Sequence, residues 1–274
     1  MEKIQSAIAK ARATRTGTAD TAPAAGRAAP LPELPQPLEE AWAALPPLTP
    51  DLRRLEKNRI VALSGGQDAI SIDMLRTKVL QMMRANNWKR LAITSPSSGC
   101  GKSTIALNLA FSLSRQRELR TVLCELDLRR PSLARLLEIT EQHSMARVLE
   151  GNASFADNAV RYNDNLAIST NAGVHRNPAE LLQSAAMSRA LGQIEETYKP
   201  DVMIFDMPPM LVSDDAMAFF PNVDAVILVA AAETTKIKEV DSCERDIASQ
   251  TNVMGVILNK CRYMGPEYGY NYYE

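Results

Sequence analysis

The stretch SPSSGCGKST, residues 95–104, contains most of the residues needed to cradle a phosphate. A strict phosphate loop, G-x-x-x-x-G-K-[ST], would place glycine at position 96, where this chain has Pro96. That residue shapes only the entry to the turn, whereas Gly99 and Gly101 let the backbone approach phosphate oxygens. The loop residues that we expect to bind a nucleotide are Ser98, Gly99, Cys100, Gly101, Lys102, Ser103 and Thr104.

Two further motifs end apolar runs in acidic residues. MIFDMPP carries Asp206, at the place where a phosphate-loop enzyme keeps the carboxylate that holds Mg²⁺ directly or through water. VLCELDLRRP carries Glu125 and Asp127 two residues apart, so both side chains can lie on one side of the chain. Clustered carboxylates bind metals or accept protons, and the arginines that follow can meet phosphate or pair with the carboxylates.

The elements around these motifs alternate between strands and helices. The predicted strands are RLAITS, TVLCELD, NLAIST, DVMIFDM, DAVILVAA and VMGVILNK, and helix-length segments such as KSTIALNLAFSLSRQ and PAELLQSAAMSRALGQIEETY lie between them. Runs that are apolar on both faces are typical of buried parallel strands. The pattern predicts a doubly wound α/β fold with a mostly parallel sheet, in which ligands bind at the carboxyl ends of the strands.

Composition, charge and cysteine spacing limit the binding partners and the cellular location that the sequence favours. The chain has 274 residues, 46% hydrophobic and 23% charged, and with a net charge of -1 no overall electrostatic field argues for nucleic acid or an anionic membrane as a partner. No nucleic acid partner is therefore expected. The four cysteines are scattered without metal-ligand or redox spacing. The longest apolar run, residues 223–232, is too short to span a bilayer, and the N-terminus has no apolar signal core. A cytoplasmic location is therefore expected.

Three regions are predicted along the chain. Residues 1–55 are expected to form a flexible segment, since half of the sixteen prolines lie in the first fifty residues and no helical or strand period is present. Its first part, EKIQSAIAKARATR, leaves a solvated tail and a short basic helix open as interpretations. Residues 56–262 are predicted to form the phosphate-loop domain, and residues 263–274 a tail.

That tail is rich in tyrosine. Five of the seven tyrosines fall in its twelve residues, YMGPEYGYNYYE, and its glycines and proline discourage a packed element. A sticky tail of a binding protein would also have this composition. The tyrosines concerned are Tyr263, Tyr268, Tyr270, Tyr272 and Tyr273.

The three motifs, in this order, resemble those of the bacterial tyrosine kinases (BY-kinases) of the CpsD/CapB type. That family is similar in its deviant phosphate loop, its D-x-D-x-R motif after an apolar strand and its D-x-x-P ending. SMARVLEGNASFADNAV, NAGVHRNPAELLQS and GVILNK look like later segments of the same family, so the resemblance covers roughly residues 70 to 274. The related ParA/MinD ATPases share the fold, but they carry an early loop lysine where this chain has Ser97.

The resemblance implies an ATP- and Mg²⁺-dependent autokinase that phosphorylates its own tyrosine tail and controls capsular or exopolysaccharide synthesis and chain length. It implies a P-loop NTPase fold of the ParA/MinD-like type, with Arg129 and Asn259 also at the nucleotide. A membrane-embedded chain-length determinant would supply an activating segment and hold the chain at the inner face of the membrane, and the tail would mediate self-association. The implied catalytic residues are Lys102, Asp127, Glu125 and Asp206, and the implied metal ligands are Ser103, Asp206 and Asp127.

Two departures from the family pattern keep other functions open. The first aspartate of D-x-D-x-R is Glu125 here, and the family's ring-forming E-x-x-R-x-x-R motif is reduced to Ile70, Asp73 and Arg76. The alternatives are a ParA/MinD-like nucleotide-switch ATPase and a nucleotide-binding assembly module with little catalysis. Phosphorylation of the tail is expected to drive it away from Glu125, Asp127 and Asp206 of a neighbouring copy and so to dissolve assemblies.

Overall fold

The structure, a computed structural model, describes residues 36–261 of the chain. Its strands are β1 (Arg90–Thr94), β2 (Thr121–Glu125), β3 (Ala159–Tyr162), β4 (Leu166–Ser169), β5 (Val202–Asp206), β6 (Ala225–Ala231) and β7 (Asn252–Asn259). They form a seven-stranded sheet in the order β3-β4-β2-β5-β1-β6-β7. Among these described strands, β3 pairs antiparallel with β4, and all other pairs are parallel.

Helices cover both faces of this sheet. They are α1 (Gln36–Ala43), α2 (Leu52–Lys57), α3 (Gln67–Asn86), α4 (Lys102–Ser114), α5 (Leu133–Leu137), α6 (Met145–Leu149), α7 (Pro178–Leu182), α8 (Ala185–Tyr198), α9 (Asp215–Phe219) and α10 (Ile237–Ala248), with 3₁₀ turns at Ala156–Asn158 and Phe220–Asn222. No helix in residues 36–261 combines the length and apolar character needed to cross a bilayer.

Side chains that alternate along the buried strands divide the core into two layers. In β5, Met203 and Phe205 pack into a cluster with residues of α1 and α6 to α10. Val202 and Ile204 point the other way, into a cluster with residues of α2 to α5. Two apolar layers on one mostly parallel sheet are the doubly wound architecture, so the predicted fold class is confirmed.

The sequence predicted six of the seven strands. It missed β3, a four-residue edge strand in which Arg161 and Tyr162 are only half-buried, so no apolar run marks it. The helix predicted over residues 178–198 is two helices, α7 and α8. The break lies before Ser184, whose hydroxyl accepts a hydrogen bond from the Met187 amide (3.1 Å) and caps α8.

The prediction of a flexible segment over residues 1–55 is wrong for residues 36–55. Leu38, Trp42 and Leu45 are buried in the first apolar layer, and the Trp42 indole donates to the Tyr198 carbonyl (2.9 Å). The spacing of four residues puts Leu38 and Trp42 on one face of α1, and Leu45 follows two residues after the helix ends. The surrounding prolines obscure this short period in the sequence. Residues 1–35, with the stretch EKIQSAIAKARATR, and residues 262–274, with the tyrosine cluster, lie outside the described part of the chain.

The sheet brings the chemical motifs to one edge. β1, β5 and β2 are neighbours, and Asp206 at the end of β5 is in register with Glu125 of β2 and Ile93 of β1. The phosphate loop follows β1, so all three motifs extend from adjacent carboxyl ends, as predicted.

Candidate active site

The loop between β1 and α4 needs glycine at two positions. Gly99 and Gly101 have φ values of +81° and +97°, in the left-handed region that favours glycine. A Cβ at Gly101 would also collide with the side-chain amide of Asn259. That amide donates to the Cys100 carbonyl (2.9 Å), so the end of β7 holds the loop in place.

Lys102, the first residue of α4, lies between two carboxylates. Its Nζ is 2.7 Å from Asp127 Oδ2 and 3.5 Å from Asp206 Oδ1. All three side chains are nearly inaccessible to solvent, with exposures of 8%, 4% and 0% for the lysine, Asp127 and Asp206. Burial alone lowers the pKa of Lys102, but the charges of Asp206 and Asp127 outweigh it and leave the pKa raised. The site therefore holds a buried ammonium.

Asp206 is a fully buried carboxylate at the end of β5. Burial raises its pKa, although Lys102 and the Ser103 hydroxyl act in the opposite direction. Its Oδ2 is buried and has no hydrogen-bond partner among the described residues. Lys102 Nζ lies 3.3 Å from Ser103 Oγ, so the hydroxyl and this carboxylate flank the same ammonium.

These oxygen donors fit Mg²⁺, which takes a few protein oxygens and keeps waters and phosphate oxygens as its other ligands. No cluster of three or more His, Cys, Asp or Glu side chains in residues 36–261 is arranged to hold a metal by itself.

The structure separates Glu125 from Asp127, although both were predicted to be catalytic. Glu125 is fully buried, and its carboxylate accepts hydrogen bonds from the backbone amides of Ser132, Leu133 (2.7 Å) and Asn171 (2.8 Å). Burial raises the pKa of Glu125 to about 7, although these amides oppose the shift. Its position makes Glu125 an anchor for the start of α5 and for the segment after β4, whereas Asp127 faces the lysine.

Arg129, which the resemblance placed at the nucleotide, is not among the residues that line the cavity above the phosphate loop. Its guanidinium makes two hydrogen bonds with the buried Asp215 carboxylate (2.6 and 3.0 Å), which also accepts from the Ser213 hydroxyl (2.9 Å). The pair joins the segment after β2 to the start of α9. It leaves the following residue, Arg130, beside Asp127, where the Arg130 amide donates to Asp127 Oδ1 (3.0 Å).

A cavity of about 410 Å³ opens above the loop and Lys102. Seven of the predicted site residues line it: Ser98, Gly99, Gly101, Lys102, Ser103, Thr104 and Asp127. Arg130, which the sequence marked as an arginine that could meet phosphate, lines it too. The sequence did not assign the other lining residues, which are Ser132, Arg135, Leu136, Pro209 and Lys260. Lys260 directly follows Asn259, which was assigned to the nucleotide, and this adjacency is the signal that could have found it.

The remaining predicted loop residue, Cys100, turns its side chain away from the cavity. Its Sγ lies 3.6 Å from the hydroxyls of Ser97 and Thr235. Burial raises the pKa of this thiol, but the hydrogen bonds from Ser97 and Thr235 outweigh burial and leave the pKa lowered. Cys100 is therefore the one predicted loop residue that does not line the cavity.

The three residues at the ring-motif positions lie on α3, away from the cavity. Ile70 is exposed, and Arg76 donates to Asp73 (3.1 Å) and to the carbonyl and hydroxyl of Ser112 (3.2 and 3.1 Å). Asp73 also accepts from Arg115 (2.9 Å). The surviving arginine is therefore engaged within its own chain.

The sequence matches the family described as ParA: NUBPL iron-transfer P-loop NTPase over residues 86–273. It is 29% identical over 231 residues to the tyrosine-protein kinase Wzc of Salmonella typhi, covering 81% of this chain and 32% of Wzc. It is 31% identical over 184 residues to the tyrosine-protein kinase CpsD of Streptococcus agalactiae, covering 66% of this chain and 79% of CpsD. The chain thus spans about a third of the length of Wzc and about four fifths of CpsD.

A solved structure extends this likeness to three dimensions. The kinase domain of VpsO superposes with a TM-score of 0.62 at 30% sequence identity, covering 77% of this chain and 97% of that domain.

Proposed function

Because the chain belongs to the bacterial tyrosine kinase family, built on the ParA-type P-loop NTPase fold, we propose that it transfers the γ-phosphoryl group of ATP to tyrosine. The proposed acceptors are the tail residues Tyr263, Tyr268, Tyr270, Tyr272 and Tyr273. The observation that carries the proposal is the placement of Lys102 between Asp127 and Asp206 at the floor of the cavity.

The loop amides, the start of α4 and Lys102 would bind the phosphates of ATP. Phosphate oxygens would compete with Asp127 for the lysine, and Asp127 would then be available to the incoming phenol. The phenol oxygen bonds to the γ-phosphorus while the bond from that phosphorus to the β–γ bridging oxygen breaks. ADP leaves with the electron pair, and the phenol proton passes to Asp127.

Ser103 and Asp206 would hold Mg²⁺, with Asp127 close by. The ion, when bound, would neutralise charge on the phosphate oxygens. The unpartnered Asp206 Oδ2 supports this assignment, since a buried carboxylate oxygen without a donor or cation is costly. Glu125 would act on the reaction only through the backbone that it holds.

We also propose, from the family, a role in capsular or exopolysaccharide synthesis and chain length. A membrane-embedded chain-length determinant would supply the activating segment and bring the chain to the inner face of the membrane, and the tail would support self-association.

Phosphate mapping tests the kinase proposal directly. The full chain would be incubated with Mg·ATP, with and without the partner segment, and its phosphotyrosines located by mass spectrometry. We expect phosphate on the tail cluster, a rate roughly 10²–10⁴-fold lower in the Asp127→Asn variant, and no tail phosphate in a chain truncated after Arg262. Release of inorganic phosphate without phosphotyrosine would favour the nucleotide-switch ATPase, and neither product would favour the assembly module.

A further inference from the structure

Charge at the cavity differs between its floor and its mouth. Glu125 and Asp206 are buried and do not line the cavity, whereas Asp127 lines its floor and pairs with Lys102. Glu125 is bonded to backbone amides. All three carboxylates are therefore nearly inaccessible to solvent.

The mouth of the cavity carries cations. Arg130, Arg135 and Lys260 line it, and all three side chains are exposed. Within residues 36–261, none of them forms an ion pair with a carboxylate. We call these three residues the cationic mouth.

The tail has the complementary charge. Residues 263–274 contain no lysine or arginine, and Glu267 and Glu274 stand directly beside Tyr268 and Tyr273. Each phosphotyrosine would add roughly -1.5 to -2 charges near neutral pH. Guanidinium groups suit phosphate because they donate two parallel hydrogen bonds.

We propose that the cationic mouth selects acidic tyrosine segments, so that a phosphotyrosine already on the tail promotes transfer to the next tyrosine. This inference rests on the proposed kinase function. Tyr268, Tyr270 and Tyr272 recur at every second residue, and in an extended chain such residues lie about 7 Å apart on one side. Because Asp127 and the cationic mouth line the same cavity, a tyrosine at Asp127 would bring a phosphorylated neighbour toward the mouth. The electrostatic effect of phosphorylation at this site is then attraction, opposite to the repulsion expected from sequence.

The test compares peptides with the tail sequence MGPEYGYNYYE that differ only in charge. One is unmodified, one carries phosphotyrosine at the position of Tyr268, and one has glutamine at both glutamates. Site-resolved mass spectrometry gives kcat/KM for each remaining tyrosine. We expect the phosphorylated peptide to be used about fivefold better than the unmodified one, the size of one or two exposed ion pairs, and the glutamine peptide to be the poorest.

The variant Arg130→Gln/Arg135→Gln should lose this preference while its affinity for a fluorescent ATP analogue changes less than twofold. The control, Arg84→Gln/Arg189→Gln, removes the same charge from exposed positions on α3 and α8 outside the cavity and should keep the preference. Equal use of all peptides by the wild type would overturn the inference. If Arg130→Gln/Arg135→Gln lowers the affinity for the ATP analogue by as large a factor as it lowers the peptide preference, the inference is also overturned, because the arginines would then be nucleotide ligands.

Binding of the phosphorylated peptide, followed by fluorescence anisotropy, separates this inference from the kinase proposal. If no peptide is phosphorylated but the phosphorylated one binds more tightly through Arg130 and Arg135, the kinase function fails and the cationic mouth stands. If transfer occurs without any binding preference, the kinase function stands and the cationic mouth fails.

Discussion

The Lys102 ammonium is paired with the Asp127 carboxylate at 2.7 Å, inside a floor that solvent barely reaches. The same lysine is the residue expected to hold phosphate, and the same aspartate is the expected proton acceptor. This ion pair therefore has two roles. It neutralises buried charge in the fold, and it joins the two residues that the proposed reaction uses.

The variant Lys102→Met should abolish tyrosine phosphorylation, because the phosphates lose their cation. It should also lower the free energy of unfolding by about 3–5 kcal/mol, since two buried carboxylates lose their partner. Phosphate mapping and urea denaturation measure the two effects, and circular dichroism should still show a folded chain. Normal phosphorylation by a folded Lys102→Met variant would contradict the assignment of the loop.

Asp127 and Glu125 should respond differently to substitution. Asp127→Asn should lower kcat by roughly 10²–10⁴-fold, the usual contribution of a positioned acid or base. Glu125→Ala should mainly lower stability, by about 1–3 kcal/mol for each buried amide left without an acceptor. Glu125→Asp, one methylene shorter, should keep partial activity. Measuring kcat and the unfolding midpoint of each variant separates the roles, and an active Asp127→Asn enzyme would show that the base is misassigned.

The contrast between these two acids shows what a sequence can and cannot predict. Motif spacing and the alternation of elements placed the loop, Asp127 and Asp206 at one sheet edge, because parallel strands end together. Motif spacing could not predict that the Glu125 carboxylate accepts hydrogen bonds from the backbone amides of Ser132 and Asn171, since these residues lie 7 and 46 positions away along the chain. The pairing of Arg129 with Asp215, across 86 residues, was hidden for the same reason.

Composition also misled the prediction at the N-terminal side. Prolines and alanines between residues 30 and 50 suggested a linker, but Trp42 is only 3% exposed and stacks edge-on against Tyr198, with ring centroids 5.8 Å apart. Burial of one large apolar side chain stabilises the folded helix by more than the low helix propensity of its neighbours destabilises it.

Trp42→Ala tests this packing. It should lower the free energy of unfolding by about 3–5 kcal/mol, the usual cost of removing a buried aromatic side chain. A chain beginning at residue 36 should unfold at the same urea concentration as the full chain, whereas a chain beginning at residue 56 should be clearly less stable. Equal stability of all three chains would show that α1 adds nothing to the core.

Gly101→Ala tests the close approach of the phosphate loop and β7. The substitution forces alanine to φ +97° and against the Asn259 amide, so ATP affinity should fall at least tenfold. Gly101→Ala/Asn259→Ala should recover only part of the affinity, because the collision is relieved and the backbone strain remains. Gly192→Ala, where the added methyl meets open space within α8, is the matched control and should bind ATP normally.

His143 offers a test far from the phosphate loop. Its side chain is 5% exposed, and its Nδ1 has no hydrogen-bond partner among the described residues. It lines a cavity of about 250 Å³ between residues 46–51 and 137–143. Burial lowers the pKa of His143 below its usual 6.5, and the nearby Glu141 charge only partly opposes that shift.

A histidine whose pKa is lowered by folding makes stability depend on pH in a defined direction. Below pH 6.5 the unfolded chain takes up the His143 proton before the folded chain does, so the folded state loses stability as pH falls. The loss can reach at most about 1.4 kcal/mol for each pH unit between the two pKa values. His143→Gln removes this contribution. The free energy of unfolding of the wild type, relative to that variant, should therefore fall between pH 8 and pH 5.5 when both are measured by urea denaturation. A constant difference across this range would show that His143 titrates alike in the folded and unfolded chains.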